Sequence, residues 1–126
     1  MILGIGTDVV AVRRMAELHT RHGERLARRM LAMGERGDYD RVRDKPRLLA
    51  KRFAAKEALA KAMGTGVRAP LTLTAVGVGH DELGKPVFFF APALAGWLQE
   101  RGAGNVHLSL SDEVDTVVAF VIVERP

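Results

Sequence analysis

The 126-residue sequence contains no cysteine. That excludes a disulfide framework, a thiolate nucleophile and a zinc site built on sulfur. Tryptophan and tyrosine occur once each and phenylalanine five times. No aromatics interleave with the arginines from Arg13 to Arg29, as a surface for single-stranded nucleic acid requires. No apolar run approaches the roughly 20 residues of a membrane span. The start, Met1-Ile2-Leu3-Gly4-Ile5-Gly6, lacks the basic opening and longer apolar stretch of a secretory signal. A cytoplasmic protein without a membrane partner is the expectation. There are no repeats and no low-complexity tracts, and the length suits one domain over residues 1–126.

Charge is unevenly spread. Residues 1–63 hold 15 Lys and Arg against 8 Asp and Glu, whereas residues 64–126 hold 4 against 7. The basic half predicts an acidic partner: nucleic acid, a polyphosphate or an acidic protein. Arg13, Arg14, Arg21, Arg25, Arg28 and Arg29 form a basic patch within it. A solvated basic face is the plainer reading of the same residues.

The first half reads as helical and the second as extended. Ile2 to Ile5 is a short strand, and Thr7-Asp8 is placed to cap a helix that follows. Val12 to His22 and Glu24 to Ala32 carry apolar residues at helical spacing, separated by Gly23. Residues 34–44 are polar and rich in turn formers, a short helix or a loop. Pro46 suits the first turn of a long helix to Met63, which Gly64 ends. Leu71 to Gly79 and Val87 to Phe90 read as strands joined by the turn Asp81 to Pro86. Pro92 to Arg101 reads as a helix. His107 to Ser111 and Thr116 to Val123 read as strands, with Leu108 and Leu110 on one face and His107, Ser109 and Ser111 on the other. Helices first and strands later favour an α+β fold.

The segment Arg52-Phe53-Ala54-Ala55-Lys56-Glu57-Ala58-Leu59-Ala60-Lys61-Ala62 stands out. It puts one carboxylate and three cations on a helix made mostly of alanine. Alanine lets neighbours approach closely, so these charges need a partner, a ligand or a metal. Glu57 and Asp8 together with phosphate oxygens and water would make a magnesium site. Alternatively, Asp8 caps a helix and Glu57 pairs with Lys61 four residues on. Arg52, Lys56 and Lys61 suit the phosphates of a nucleotide-like ligand, or form a set of surface cations. Gly64-Thr65-Gly66 is either a small anion-binding nest or a helix stop. It is no P-loop, because the Gly-Lys-Ser/Thr order is missing. His107 and Ser109 offer a phosphate or adenine contact, or only a polar sheet face. Gly84-Lys85-Pro86 reads first as a turn.

Taken together and in this order, Gly4-Ile5-Gly6-Thr7-Asp8, Arg52 to Ala58 and His107-Leu108-Ser109-Leu110-Ser111 resemble the holo-[acyl-carrier-protein] synthases. These are the small bacterial type of 4′-phosphopantetheinyl transferase. The likeness spans essentially the whole chain and includes Lys61, Gly64 to Gly66 and Gly84 to Pro86. Leu48 departs from it, standing where many members carry an aromatic residue.

The resemblance implies a Mg2+-dependent transfer of the phosphopantetheine arm of coenzyme A to a serine of apo-acyl carrier protein. Adenosine 3′,5′-bisphosphate would be the second product, and the reaction would serve fatty acid biosynthesis. It implies an α+β fold with an antiparallel sheet and a long central helix, assembled as a homotrimer with active sites between subunits. Asp8 and Glu57 match the metal ligands, and Lys61 matches a residue near the diphosphate. Arg52, Gly64, Thr65, Gly66, Lys85, Pro86, His107 and Ser109 match parts of the coenzyme A site, with Lys56 inside the same central motif. Arg14 and its basic neighbours Arg13, Arg21, Arg25 and Arg28 match the carrier-protein docking surface. Glu57, directly or through a metal-bound water, is the expected base for the carrier serine, with Asp8 second. A nucleic-acid-binding module without catalysis is the rival reading of the arginine-rich helices, and an inactive scaffold that keeps the fold is a third.

Overall fold

The computed structural model describes residues 1–126. The chain opens with strand β1 (Ile2–Ala11), followed by helices α1 (Val12–His22) and α2 (Glu24–Met30). A 3-10 turn (Met33–Glu35) and a short helix α3 (Arg36–Arg41) lead into the long helix α4 (Lys45–Met63). Then come the hairpin β2 (Val76–His80) and β3 (Pro86–Phe90), helix α5 (Pro92–Glu100), and strands β4 (Val106–Asp112) and β5 (Thr116–Glu124). The order β1-β5-β4 makes one antiparallel sheet, and β2-β3 makes a second. The fold is α+β, as the element order predicted. No helix is long and apolar enough to cross a membrane.

Helix α4 has the punctuation its sequence suggests. The Asp44 side chain accepts from the Arg47 N–H, Pro46 sits in the first turn, and Gly64 closes the helix at φ 75°. The helix buries Leu48, Leu49, Ala54, Ala55, Ala58, Leu59 and Ala62, on several faces at once. It lies on the inner face of the three-stranded sheet and under α1. That position explains the alanines, and it explains two glycines the sequence left without a role. A Cβ on Gly6 would overlap the Ala58 carbonyl, and one on Gly4 would overlap the Ala62 carbonyl. Strand β1 thus rests directly on helix backbone, which cannot move aside as a flexible side chain can. Gly6→Ala is expected to cost about 1–3 kcal/mol by overpacking. Thermal unfolding of the variant beside Ala119→Gly, a cavity of similar size on β5, would separate the clash from ordinary loss of packing.

Three expectations are corrected. β1 does not stop at Ile5; it pairs with β5 along its length, with Asp8 opposite Ala119. Asp8 is therefore a strand residue, and the residue preceding α1 is Ala11, which makes no side-chain cap. Val9 and Val10 extend the strand because β-branched residues suit the pleat. Helix α2 ends at Met30, since Leu31 is already extended. The strand expected from Leu71 begins only at Val76; Leu71 makes an isolated bridge with Arg68, and the Ala75 N–H closes a turn on the Thr72 carbonyl.

Lys56 also departs from its expected role. It is completely buried. Its ammonium donates to Glu35 Oε1 at 2.5 Å, to the Met30 carbonyl at 2.6 Å and to the Leu73 carbonyl at 2.8 Å. All three protons are committed to the interior, so Lys56 holds the fold and does not hold a phosphate. Burial pulls its pKa below that of an ordinary lysine, with the Glu35 charge opposing and Arg52 adding to the fall.

Candidate active site

Side chains alternate along β1, so Gly4, Gly6, Asp8 and Val10 share the inner face. The two glycines bring the strand onto α4, and Asp8 follows as the first functional side chain on that face. On the helix, Phe53, Glu57 and Lys61 recur every four residues and occupy one stripe. Strand and helix stripe meet: Lys61 Nζ donates to Asp8 Oδ1 at 3.1 Å. The local Glu57–Lys61 pair is not formed; Lys61 reaches across to the strand.

Asp8 and Glu57 line one cavity of about 310 Å³. Arg14, Met15 and Leu18 of α1 and Phe53 of α4 complete its wall. Burial pushes the Glu57 carboxyl above the usual carboxylate range, the Asp8 charge adds to this, and Lys61 opposes it. Two neighbouring carboxylates, one of them destabilised as an anion, form a site that a hard cation would relieve. Oxygen donors of this kind fit Mg2+, which commonly binds through one or two carboxylates and completes its shell with water and phosphate.

Gly64 and Thr65 do not form a free nest. Their N–H groups donate to the Lys61 and Ala60 carbonyls, closing the helix. Gly66 has φ 70°, a left-handed value that glycine adopts without strain.

A second polar region lies elsewhere on α4. Arg52 and Glu57 are five residues apart, about 140° around the helix at 3.6 residues per turn. Arg52 is 4% exposed. It is not the free surface cation the sequence suggested, being bonded to Glu35, Asp38 and the Val78 carbonyl. It also lines an open groove of about 350 Å³ with Arg41, Lys51 and His80. His80 pairs with Pro86 where the hairpin opens. Lys85, next in line, is exposed on a turn organised by the Asp81 carboxylate, which accepts from the Leu83 and Lys85 N–H groups.

His107 and Ser109 stand on the outer face of the sheet, away from α4. The register forms rows across that face: Ile5, Ile122 and His107, then Thr7, Phe120 and Ser109. The His107 ring meets Glu124 Oε2 at 2.8 Å, and this contact holds the Glu124 carboxyl below the usual range. Asp8 and His107 are therefore on opposite faces of one sheet, with β5 between their strands.

The basic helices divide into three groups. Arg14 borders the carboxylate cavity. Leu18 is shared between that cavity and a groove of about 250 Å³ lined by His22, Arg25, Leu26 and Arg29. Arg13 and Arg21 lie on another side of α1 around Glu17, and Arg28 lies beside Glu24, Arg36 and Asp40. The sequence reading missed Glu35, hidden in a turn-rich stretch, and His80 and Lys51, which carry no motif. Phe53 was visible inside the central motif but had no assigned place.

The sequence model of the 4′-phosphopantetheinyl transferase superfamily matches residues 4–120. The holo-[acyl-carrier-protein] synthase of Laribacter hongkongensis is 56% identical, over 98% of this chain and 99% of its own length. The crystal structure of holo-[acyl-carrier-protein] synthase from Neisseria meningitidis superposes with TM-score 0.96 at 50% identity, covering 99% of this chain and 100% of that one. A holo-(acyl-carrier-protein) synthase from Bacillus anthracis, solved in complex with CoA (3′,5′-ADP), gives TM-score 0.84 at 30% identity, covering 100% and 99%. Matched along nearly its whole length in both sequence and fold, the chain belongs to the 4′-phosphopantetheinyl transferase superfamily.

Proposed function

We propose that the chain transfers the phosphopantetheine arm of coenzyme A to a serine of apo-acyl carrier protein, leaving adenosine 3′,5′-bisphosphate. The observation that carries this reading is the Asp8–Glu57 carboxylate pair, with Lys61 on Asp8 and Arg14 of the basic helix on the same cavity. Asp8 and Glu57 hold Mg2+. When bound, the ion neutralises charge that develops on the pyrophosphate as the leaving group departs. Lys61 adds positive charge beside it, and positioning supplies much of the remaining rate. Glu57 takes the proton from the carrier serine Oγ. The serine Oγ attacks the phosphorus on the pantetheine side, the P–O bond within the diphosphate breaks, and adenosine 3′,5′-bisphosphate leaves, so this chain requires no nucleophile of its own.

Coenzyme A spans a site shared between copies of the chain. In one copy the carboxylates lie inside the sheet, while His107 and Ser109 lie outside it and Arg52 faces another way on α4. This spread over different faces favours a ligand held between copies. The outer sheet face carries Ile5, Val9, Val118 and Phe120 at 59%, 64%, 36% and 39% exposure. An apolar face of this kind suits an interface between copies, and the reading is a homotrimer. Arg52, Gly66, Lys85, Pro86, His107 and Ser109 contact the nucleotide half of coenzyme A. Carrier protein docks on Arg14 and Arg25 beside Leu18, and the holo product serves fatty acid biosynthesis in the cytoplasm.

Mass spectrometry of apo-acyl carrier protein incubated with this protein, coenzyme A and Mg2+ tests the reaction. A gain of roughly 340 Da that disappears with EDTA is expected; no gain with several carrier proteins would overturn the reading. Arg14→Glu is expected to raise KM for carrier protein about tenfold or more, with KM for coenzyme A little changed and the carrier effect shrinking in high salt. Equal changes in both constants would remove Arg14 from the docking surface.

A further inference from the structure

Glu35 is completely buried, and both its oxygens are fully used. Oε1 accepts from Lys56 Nζ at 2.5 Å and from the Ala32 N–H at 2.9 Å. Oε2 accepts from Arg52 Nη1 at 3.1 Å and from the Val78 N–H at 3.0 Å. A carboxylate bonded at four points, to three different elements of the chain, has no freedom to turn. Asp38 grips the same guanidinium from α3, with Oδ2 accepting from Arg52 Nη2 at 3.2 Å. Its Oδ1 accepts from Arg41 Nη2 at 2.7 Å, so Asp38 is held as well.

A guanidinium has five N–H donors. Arg52 spends two on Glu35 and the Val78 carbonyl and one on Asp38. Nε and one Nη2 hydrogen make no bond within the chain. No buried side-chain nitrogen or oxygen lacks a partner, so the unbonded Nε is not wholly buried, and Arg52 is one of the residues that line the groove with Lys51, Arg41 and His80. Adjacent N–H groups of a fixed fork are suited to two oxygens of a phosphate. Burying such an ionic group brings little net stability over a well-packed apolar cluster. Its yield is direction.

We propose that Glu35 and Asp38 are positioning residues that hold Arg52 and aim its free N–H donors at a phosphate in the nucleotide half of coenzyme A. This rests on the reading of Arg52 as a coenzyme A contact. Fixing the guanidinium before the ligand arrives removes the ordering cost from binding. The effect therefore belongs to coenzyme A affinity and spares both carrier docking and the chemical step.

The test uses the full chain with Glu35→Gln and Asp38→Asn. Steady-state kinetics accompany a ¹H–¹⁵N spectrum of the arginine Nε–H signals, with the Arg52 signal assigned through Arg52→Lys. In the unsubstituted protein, coenzyme A should shift the Arg52 signal. In Glu35→Gln, KM for coenzyme A should rise about tenfold, the worth of one hydrogen bond between charged groups. In Asp38→Asn it should rise by about threefold, because Asp38 is half exposed. KM for carrier protein and kcat should stay within about twofold in both. If Glu35→Gln does not fold, the half-exposed Asp38→Asn decides. Folded variants with unchanged KM for coenzyme A, or with all constants worsened alike, would overturn the positioning role while the Arg52 shift still stood. An active protein whose Arg52 signal ignores coenzyme A would instead overturn the reading of Arg52 itself, and the positioning role with it.

Discussion

Glu57→Gln is expected to lower kcat by about a hundredfold or more at saturating coenzyme A and Mg2+. The substitution keeps the shape of the side chain, so helix α4 and the cavity wall should persist. On the proposed reading, the variant loses a metal ligand and the group that takes the serine proton. Asp8→Ala should fall comparably, and it also strips Lys61 of its partner at 3.1 Å. Turnover within threefold of the unsubstituted protein would remove both residues from the metal site. A structural readout runs in the opposite direction. Glu57 has a pKa raised in the folded chain, by burial first and by Asp8 second. A raised carboxyl pKa means that the folded state binds the proton more tightly than the unfolded state does. The resulting penalty is fully present above the folded pKa, fades as pH falls through it, and is gone below the ordinary carboxylate value. In EDTA at neutral pH, Glu57→Gln should therefore raise Tm, while added Mg2+ should raise Tm only in the unsubstituted protein. At limiting Mg2+, activity should begin to fall with acidification at a higher pH than an ordinary glutamate would give. An EDTA-treated variant melting below the parent would refute this electrostatic account.

Lys56→Ala is expected to have the largest effect on stability, about 3–5 kcal/mol. Removing the ammonium leaves Glu35 buried with one cation in place of two. It also leaves the Met30 and Leu73 carbonyls without their donor and opens a cavity beneath α4. For a chain of this length such a loss shifts Tm by more than 10 °C. Lys56→Met fills the space without restoring the charge and should recover part of the loss. Urea unfolding of the pair measures both. A ΔΔG under about 1 kcal/mol for the alanine variant would mean that Lys56 is not the node joining α2, α4 and the loop before β2.

Much was legible because it depends on local chemistry. Asp44, Pro46 and Gly64 bound α4 by capping and backbone preference alone. The alternation from His107 to Ser111 placed His107 and Ser109 on one face of a strand, and the register bears this out. Strand β1 was cut short because Gly6 and Thr7-Asp8 resemble a turn and a cap. Pairing with β5 overrode that local preference, as tertiary contacts often do for strands. The stretch holding Glu35 looked like a solvated turn, since three nearby charges and two glycines say nothing about burial.

By itself the sequence determined the family motifs, the basic first half, the α+β order of elements and the two carboxylates fit for a metal. Only the tertiary structure decided which of the central helix's cations are drawn into buried ion pairs and which stands beside Asp8. Spacing tells which residues share a helix face; an apolar stripe tells which face is inward. Helix α4 is so rich in alanine that it has no such stripe, and its cations Arg52, Lys56 and Lys61 read alike. The choice was made elsewhere: Gly4 and Gly6 let one side sink against β1, and Glu35 drew Lys56 and Arg52 into the other. What remained between them, Glu57 and Lys61 facing Asp8, is the candidate active site.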